Sequence, residues 1–166
     1  MEKRSIPHKN YIIFTLISLV TILLIFFFVS WYKTNEQYRK EKIISSILQE
    51  VKKDEFENYL IENPNFILYL SKPTFENKNF EADFKEFIVS SDLKNNIVFI
   101  NLYNVDNKFV NDLNNYFSSD CVDCNNKILI DKNILVFKNK EIIKILNKKQ
   151  VKIEDISDFL QDFDDW

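Results

Sequence analysis

The stretch FILYLSKPTFENKNFEADF, residues 66–84, predicts the central unit of the fold. It opens on five apolar residues, FILYL, a run typical of a strand covered on both faces. Pro73 then marks a turn. Beyond the turn, large apolar side chains recur at helical spacing, which predicts an amphipathic helix running to about Val89. These side chains are Phe80, Phe84, Phe87 and Ile88. The stretch therefore predicts a strand, a short turn and a helix.

The elements around that unit continue the alternation of strands and helices. Residues 97–102, IVFINL, indicate a second buried strand, and residues 107–118 carry a helical apolar stripe. Residues 134–137 and 142–146 are apolar runs separated by a short polar segment, which predicts a hairpin. The remaining elements are helices at 54–62 and 155–163 and a segment at 47–52 that is ambiguous between a helical turn and a strand. The order β-α-β-α-β-α-β-β-α predicts an α/β fold with parallel pairing first, an antiparallel hairpin last and helices on both faces.

This order and the local sequence resemble the thioredoxin-like superfamily over residues 47–163. The segment 66–84 looks like the first central strand, active-site loop and first major helix of such proteins. It is most similar to the bacteriocin-transport-accessory type, in which an aromatic-rich strand leads through a Pro-Thr turn into Cys-x-x-Cys. Residues 134–146, ILVFKNKEIIKIL, are similar to the terminal hairpin of that fold. The resemblance implies a thioredoxin-like central sheet with flanking helices.

The sequence departs from that family at the positions that carry its chemistry. Alignment on KPT, residues 72–74, places the two active-site cysteines at Phe75 and Lys78, so the loop reads Phe75-Glu76-Asn77-Lys78. The cis-proline that faces the active site in the family falls at Lys132. Thiol–disulfide exchange needs a thiolate stabilised at a helix N-terminus, which phenylalanine cannot supply. We therefore expect a degenerate active site with no catalytic residue, on a fold that survives the loss.

One Cys-x-x-Cys pair is present elsewhere, at Cys121 and Cys124. It has redox spacing and could form half of a zinc site. Asp120 and Asp123 beside the sulfurs disfavour a thiolate, and the chain has no further cysteine to complete a tetrahedral site. The pair follows a predicted helix and does not begin one. A local disulfide is the favoured state, ahead of inert thiols and of a redox or metal role.

The N-terminal region predicts a membrane anchor. Residues 11–32, YIIFTLISLVTILLIFFFVSWY, carry no charge, and about twenty apolar residues of helix cross roughly 30 Å of hydrocarbon. The run is too long for a signal-peptide core, and no small-x-small cleavage site follows it. We read residues 1–10 as a flank, 11–32 as a single transmembrane helix, 33–46 as a polar stalk and 47–166 as the thioredoxin-like domain. The denser positive flank precedes the span, which favours a cytoplasmic N-terminus and an extracytoplasmic domain.

Composition excludes several function classes. The chain has no glycine, which removes the phosphate-cradling loops and the nucleophile elbow. The only histidine is His8, ahead of the span, so no Ser-His-Asp or Cys-His centre can form in the aqueous part. Residues 43–166 carry fifteen Lys/Arg and twenty-two Asp/Glu, a net charge of −7 that opposes nucleic acid binding. We expect no cofactor and no metal. The abundance of Lys, Asn, Ile and Phe is typical of an AT-rich bacterial genome.

Three hypotheses follow for the function. The first is a membrane-anchored, catalytically degenerate thioredoxin-like domain that binds another membrane or exported protein or peptide, as an accessory to export or cell-envelope processes. The second is a thiol–disulfide oxidoreductase that uses Cys121 and Cys124. The third is a structural spacer or scaffold of a membrane complex.

Overall fold

The computed structural model describes residues 8–41, 43–122, 124, 128, 132–147 and 151–160. Most of the predicted flank 1–10 and the end of the chain after residue 160 therefore lie outside the described residues. The helices are α1 (His8–Glu41), α2 (Phe56–Glu62), α3 (Lys78–Ser90), α4 (Asn107–Asp112) and α5 (Ile153–Leu160). The strands are β1 (Gln49–Glu50), β2 (Phe66–Ser71), β3 (Ile97–Asn101), β4 (Phe117–Val122), β5 (Lys132–Lys138) and β6 (Glu141–Leu146).

The first helix, α1, is long and apolar enough to cross a membrane. It has 34 residues, which corresponds to about 51 Å at 1.5 Å per residue. The segment suitable for a span is Asn10–Gln37, and its most apolar part is not buried against the rest of the protein. The predicted apolar run 11–32 lies inside it. The helix also continues through most of the predicted stalk, to Glu41.

The described strands form one mixed sheet in the order β1-β3-β2-β5-β6-β4. Strands β1, β3 and β2 are mutually parallel, with Leu68 of β2 opposite Val98 of β3. Strand β5 is antiparallel to β2, and β6 is antiparallel to β5. The predicted hairpin is therefore present. Its turn residues Asn139 and Lys140 both have positive φ, 51° and 71°, as a two-residue type I′ turn requires.

Two apolar clusters pack on opposite faces of this sheet, which explains why the central strand is apolar throughout. Along β2, Leu68 and Leu70 belong to one cluster, and Ile67 and Tyr69 belong to the other. The first cluster takes side chains from α2 and α4, and the second takes side chains from α3 and α5. Alternate residues of a strand point to opposite faces of the sheet, so both sets of β2 side chains are buried, one in each cluster. The expected α/β architecture with helices on both faces is confirmed.

Phe56 of α2 is the centre of the aromatic part of the first cluster. It is 1 % exposed. Its ring meets four others edge-on, with centroid distances of 5.5 Å to Phe109, 6.0 Å to Phe137, 6.1 Å to Tyr116 and 6.5 Å to Phe66. Such pairs add to the free energy gained by burial. Through these rings, Phe56 links α4 and the segment that carries Tyr116 to strands β2 and β5.

The structure corrects the sequence-based boundaries around α4. Residues 107–118 were expected to be one helix, followed by a cysteine-containing loop. Instead α4 ends at Asp112, a 3-10 turn covers Leu113–Tyr116, and β4 begins at Phe117 and includes Cys121. The physical reason is that β4 pairs in parallel with β6, far away in sequence, and a local pattern does not report such a partner.

The chain between α1 and β1 also differs from the expectation. Ile44 is 2 % exposed and belongs to the second cluster, so the packed domain begins before residue 47. The ambiguous segment 47–52 contributes the short strand β1, which pairs with β3.

We expect the substitution Phe56→Ala to lower the free energy of unfolding by about 3–5 kcal/mol, because it removes a buried ring and leaves a cavity. The matched control is Ile61→Ala on the same helix, where the side chain is 62 % exposed and the change should be about 0.5 kcal/mol or less. Urea unfolding of the full chain in detergent micelles, followed by aromatic circular dichroism, measures both. Equal effects of the two substitutions would contradict the central position of Phe56.

Candidate functional site

The carboxyl ends of β1, β2 and β3 meet at one edge of the sheet, because these strands are parallel. The segments that follow them, 72–77 after β2 and 102–106 after β3, therefore lie side by side. Strand β5 is antiparallel to β2, so its first residue, Lys132, starts at the same edge, opposite Ser71. We call this region the carboxyl edge. In open α/β sheets, ligands bind outside the carboxyl ends of the strands.

The carboxyl edge also gathers the buried polar residues. Among the residues whose burial the structure describes, the buried polar or charged side chains are Ser71, Asn77, Glu81, Lys132 and Asn133. Ser71 ends β2, Lys132 and Asn133 begin β5, and Asn77 and Glu81 lie at the start of α3. Burial of charged groups is costly and concentrates where a structure or function requires it. This polar cluster is the candidate functional site.

Glu81 is the acidic centre of the polar cluster. It is 2 % exposed. Its Oε1 accepts a hydrogen bond from the hydroxyl of Ser71 at 3.0 Å and a longer one from the hydroxyl of Tyr69 at 3.5 Å. Both donors come from β2, whereas Glu81 belongs to α3. The carboxylate therefore ties the end of the central strand to the first turns of the helix that follows it.

Lys132 supplies the basic group of the polar cluster. It is 7 % exposed, and its Nζ lies 3.7 Å from the centroid of the Phe80 ring. A cation over an aromatic face is attracted by the ring quadrupole. Because Lys132 is paired with Ser71 in the sheet, its positive charge and the Glu81 carboxylate belong to the same buried region. The position expected for a cis-proline is thus occupied by a buried ammonium group.

The loop between β2 and α3 presents an aromatic side chain. Phe75 opens the 3-10 turn Phe75–Asn77 and is 52 % exposed. The turn is held in place by the Asn77 side chain, whose Nδ2 donates to the carbonyl oxygen of Lys72 at 3.0 Å. Lys78 follows as the first residue of α3. The structure therefore brings Phe75, Lys78 and Lys132, the three positions predicted to replace the family's active site, to one edge.

A second exposed aromatic side chain follows the neighbouring strand. Tyr103 follows β3 and is 53 % exposed. Its backbone N–H donates to Oδ1 of Asn101 at 2.9 Å, which fixes the turn. Because Ser71 and Asn101 are opposite each other in the sheet, the segments carrying Phe75 and Tyr103 leave neighbouring strands at the same level.

An ion pair reinforces the carboxyl edge beyond β1 and β3. Lys53 Nζ lies 2.8 Å from Oδ2 of Asp106, and Asp106 also caps α4 by accepting from the N–H of Phe109. The hydrogen bond from Lys53, followed by that from Phe109, lowers the pKa of Asp106. The same side-chain hydrogen bond raises the pKa of Lys53. Both groups are therefore charged at neutral pH.

Cys121 and Cys124 lie away from this region and are joined by a disulfide. Both pack against the first apolar cluster. Strands β5 and β6 separate β4 from β2, a lateral distance of about 14 Å at 4.8 Å per strand. In the described part of the chain, β4 leads into the disulfide and not into a helix start. Within the described residues, the pair is therefore not at a helix start, where the dipole would stabilise a thiolate.

Among the described residues, no group of three or more His, Cys, Asp or Glu side chains lies close enough together to hold a metal ion.

Sequence reasoning missed most of the polar cluster. Ser71, Glu81 and Tyr103 were not singled out, although one signal for Glu81 was present. Glu81 lies three residues before Phe84 and seven before Ile88, so it is on the same buried face of α3 as these two residues. A carboxylate on an apolar face indicates a buried polar partner. No comparable signal marked Ser71 or Tyr103, whose roles depend on the strand register.

No known family model matches this chain, and no curated protein matches it.

We expect the full chain in detergent to show no catalytic turnover in the reduction of insulin disulfides, because neither cysteine begins a described helix. The variant Cys121→Ser/Cys124→Ser should behave identically. Turnover by the unmodified chain that this variant loses would establish the oxidoreductase hypothesis instead.

A gain-of-function control uses the same assay. In the Cys121→Ser/Cys124→Ser background, Phe75→Cys with Lys78→Cys puts two thiols at the entrance to α3, and insulin reduction should then appear.

Proposed function

We propose that the protein is a membrane-anchored, catalytically degenerate thioredoxin-like domain that binds another protein or peptide at its carboxyl edge. Its role would be that of an accessory to export or cell-envelope processes. The observation that carries the proposal is the gathering of buried polar residues and two exposed aromatic side chains, Phe75 and Tyr103, at one edge of the sheet.

The sheet supports the thioredoxin-like part of this proposal. Without β4, the strand order is β1-β3-β2-β5-β6, with three parallel strands followed by an antiparallel hairpin. That is the order expected of a thioredoxin-like sheet, and β4 would be an addition at its edge. The 3-10 turn that begins with Phe75 lies between the central strand and α3, where the family's active-site cysteines begin.

The chemistry of the carboxyl edge favours binding over catalysis. Phe75 and Lys78 are not nucleophiles, and the Glu81 carboxylate is buried and hydrogen-bonded to Ser71. Exposed aromatic rings beside fixed backbone turns are typical of protein interaction surfaces, where Tyr, Trp and Arg supply much of the affinity. The net charge of −7 on residues 43–166 opposes a nucleic acid partner.

The long apolar helix supports the membrane part of the proposal. Helix α1 would hold the domain at the surface of one membrane, with the N-terminus in the cytoplasm and the domain outside. A binding edge tethered in this way meets its partner at a high effective concentration when the partner belongs to the same membrane.

Site-specific photo-crosslinking in intact cells tests the binding function. A photoreactive phenylalanine analogue replaces Tyr103 in the full chain, and the control carries the analogue at Ile61, which is equally accessible at 62 % exposure but lies on α2. We expect a discrete polypeptide adduct from position 103 and none from position 61.

Two outcomes would contradict this prediction. Absence of an adduct from position 103 would remove the carboxyl edge as a protein-binding surface. Equal adducts from both positions would indicate general crowding around a spacer or scaffold.

A further inference from the structure

Helix α1 meets the domain at the 3-10 turn that carries Phe75. Helix α1 and the turn Phe75–Asn77 are in contact. Asn35 and Glu36 are half-buried, whereas Lys33 and Thr34 just before them are exposed. We therefore place the contact in the C-terminal part of α1, from the level of Asn35 and Glu36 onward.

The path of the chain beyond α1 gives the direction of the membrane. After passing the start of α3, the chain reaches Ser46, whose hydroxyl accepts a hydrogen bond from Nζ of Lys85 at 3.3 Å. Lys85 lies two turns further along α3 than Lys78. As the chain leaves α1, it thus moves along α3 away from the 3-10 turn. The start of α3, and with it the carboxyl edge, is the end of the domain that faces the apolar part of α1.

The height of the turn above the apolar segment can be read from α1. The uncharged run ends at Tyr32, and four residues of helix to Glu36 rise about 6 Å. The headgroup layer on each side of a bilayer is about 5–7 Å thick, the difference between the total and hydrocarbon thicknesses. When α1 spans the membrane, the level of Asn35 and Glu36, at which α1 becomes half-buried beyond its apolar run, is therefore the height of the lipid headgroups.

We infer that the Phe75 side of the carboxyl edge docks on the surface of the bilayer that holds α1, with the Phe75 ring inserted at the boundary of headgroups and acyl chains. This inference rests on the membrane-anchor part of the proposed function. An exposed aromatic side chain at that height gains by leaving water, and aromatic rings are enriched at this boundary. Lys72, three residues before Phe75, carries a positive charge that suits anionic headgroups, and Glu76 directly follows Phe75.

Docking on the bilayer also narrows the class of polypeptide partner. With Phe75 turned to the lipid, Tyr103 in the turn after the neighbouring strand remains the exposed aromatic side chain for a partner. A domain held close to the bilayer favours a partner in the same membrane, or a chain emerging from it, because tethering raises the effective concentration.

Depth-dependent fluorescence quenching tests the docking. The full chain is reconstituted into nanodiscs of phosphatidylcholine and phosphatidylglycerol, with or without phosphatidylcholine brominated near the top of its acyl chains. The background is Trp31→Phe/Trp166→Phe, which removes both native tryptophans. One variant then carries Phe75→Trp. The matched control carries Val89→Trp, at the opposite end of α3 and 62 % exposed.

We expect the brominated lipid to quench the tryptophan at position 75 strongly and to leave the one at position 89 unchanged. The emission maximum of the tryptophan at position 75 should also lie at a shorter wavelength than that of the tryptophan at position 89. Equal, weak quenching at both positions in protein that is incorporated into the discs would overturn the docking alone, and would leave Phe75 free for a polypeptide. Failure of the chain to enter the discs, seen by its extraction at alkaline pH, would overturn both the docking and the membrane anchor.

Discussion

The hydrogen bond from the Ser71 hydroxyl to the Glu81 carboxylate is the interaction on which the candidate site depends. It is buried and joins the last residue of β2 to the first turns of α3. A hydrogen bond to a charged group contributes about 1.5–3 kcal/mol, and a buried carboxylate without its donor costs more than the bond itself. The chain between the two residues is therefore confined to a short path, and the 3-10 turn that begins with Phe75 is held at the edge of the sheet.

The same constraint connects the membrane helix to the binding surface. Because the turn is fixed beside the end of α1, the proposed tether and the proposed site are neighbours, and the anchor sets which edge of the domain faces the lipid. The mixed sheet suits this arrangement because the loops after its parallel strands lie at one edge. Phe75 is exposed at that edge, and the side chains of Glu81 and Lys132 are buried there.

Much of the fold could be predicted because the decisive segments carry their own signals. The run FILYL is apolar on both strand faces, and the stripe ending at Ile88 has helical spacing, so β2 and α3 follow from residues close in sequence. Strand β4 could not be predicted, because its sequence, FSSDCV, is half polar without a strand alternation and its described partner is the distant β6. The polar cluster could not be predicted from the sequence for a similar reason. The partners of Glu81 and the neighbours of Lys132 are set by strand register, which no local pattern contains. Of the site, the sequence could predict that Phe75 lies in the loop between β2 and α3.

The coupling free energy between Ser71 and Glu81 is the measurement that bears most directly on this arrangement. A double-mutant cycle with Ser71→Ala and Glu81→Met, which removes the acceptor at similar side-chain size, isolates it in the full chain, and a cycle pairing Glu81→Met with Ser90→Ala, at the exposed end of α3, serves as the control. The buried hydrogen bond predicts a coupling of about 1 kcal/mol or more for the first pair and additivity for the second. If the effects of the two substitutions on the free energy of unfolding were additive within about 0.5 kcal/mol, as for the control pair, the Glu81 carboxylate would not hold the 3-10 turn in place. The candidate site would then have no fixed position at the edge of the sheet.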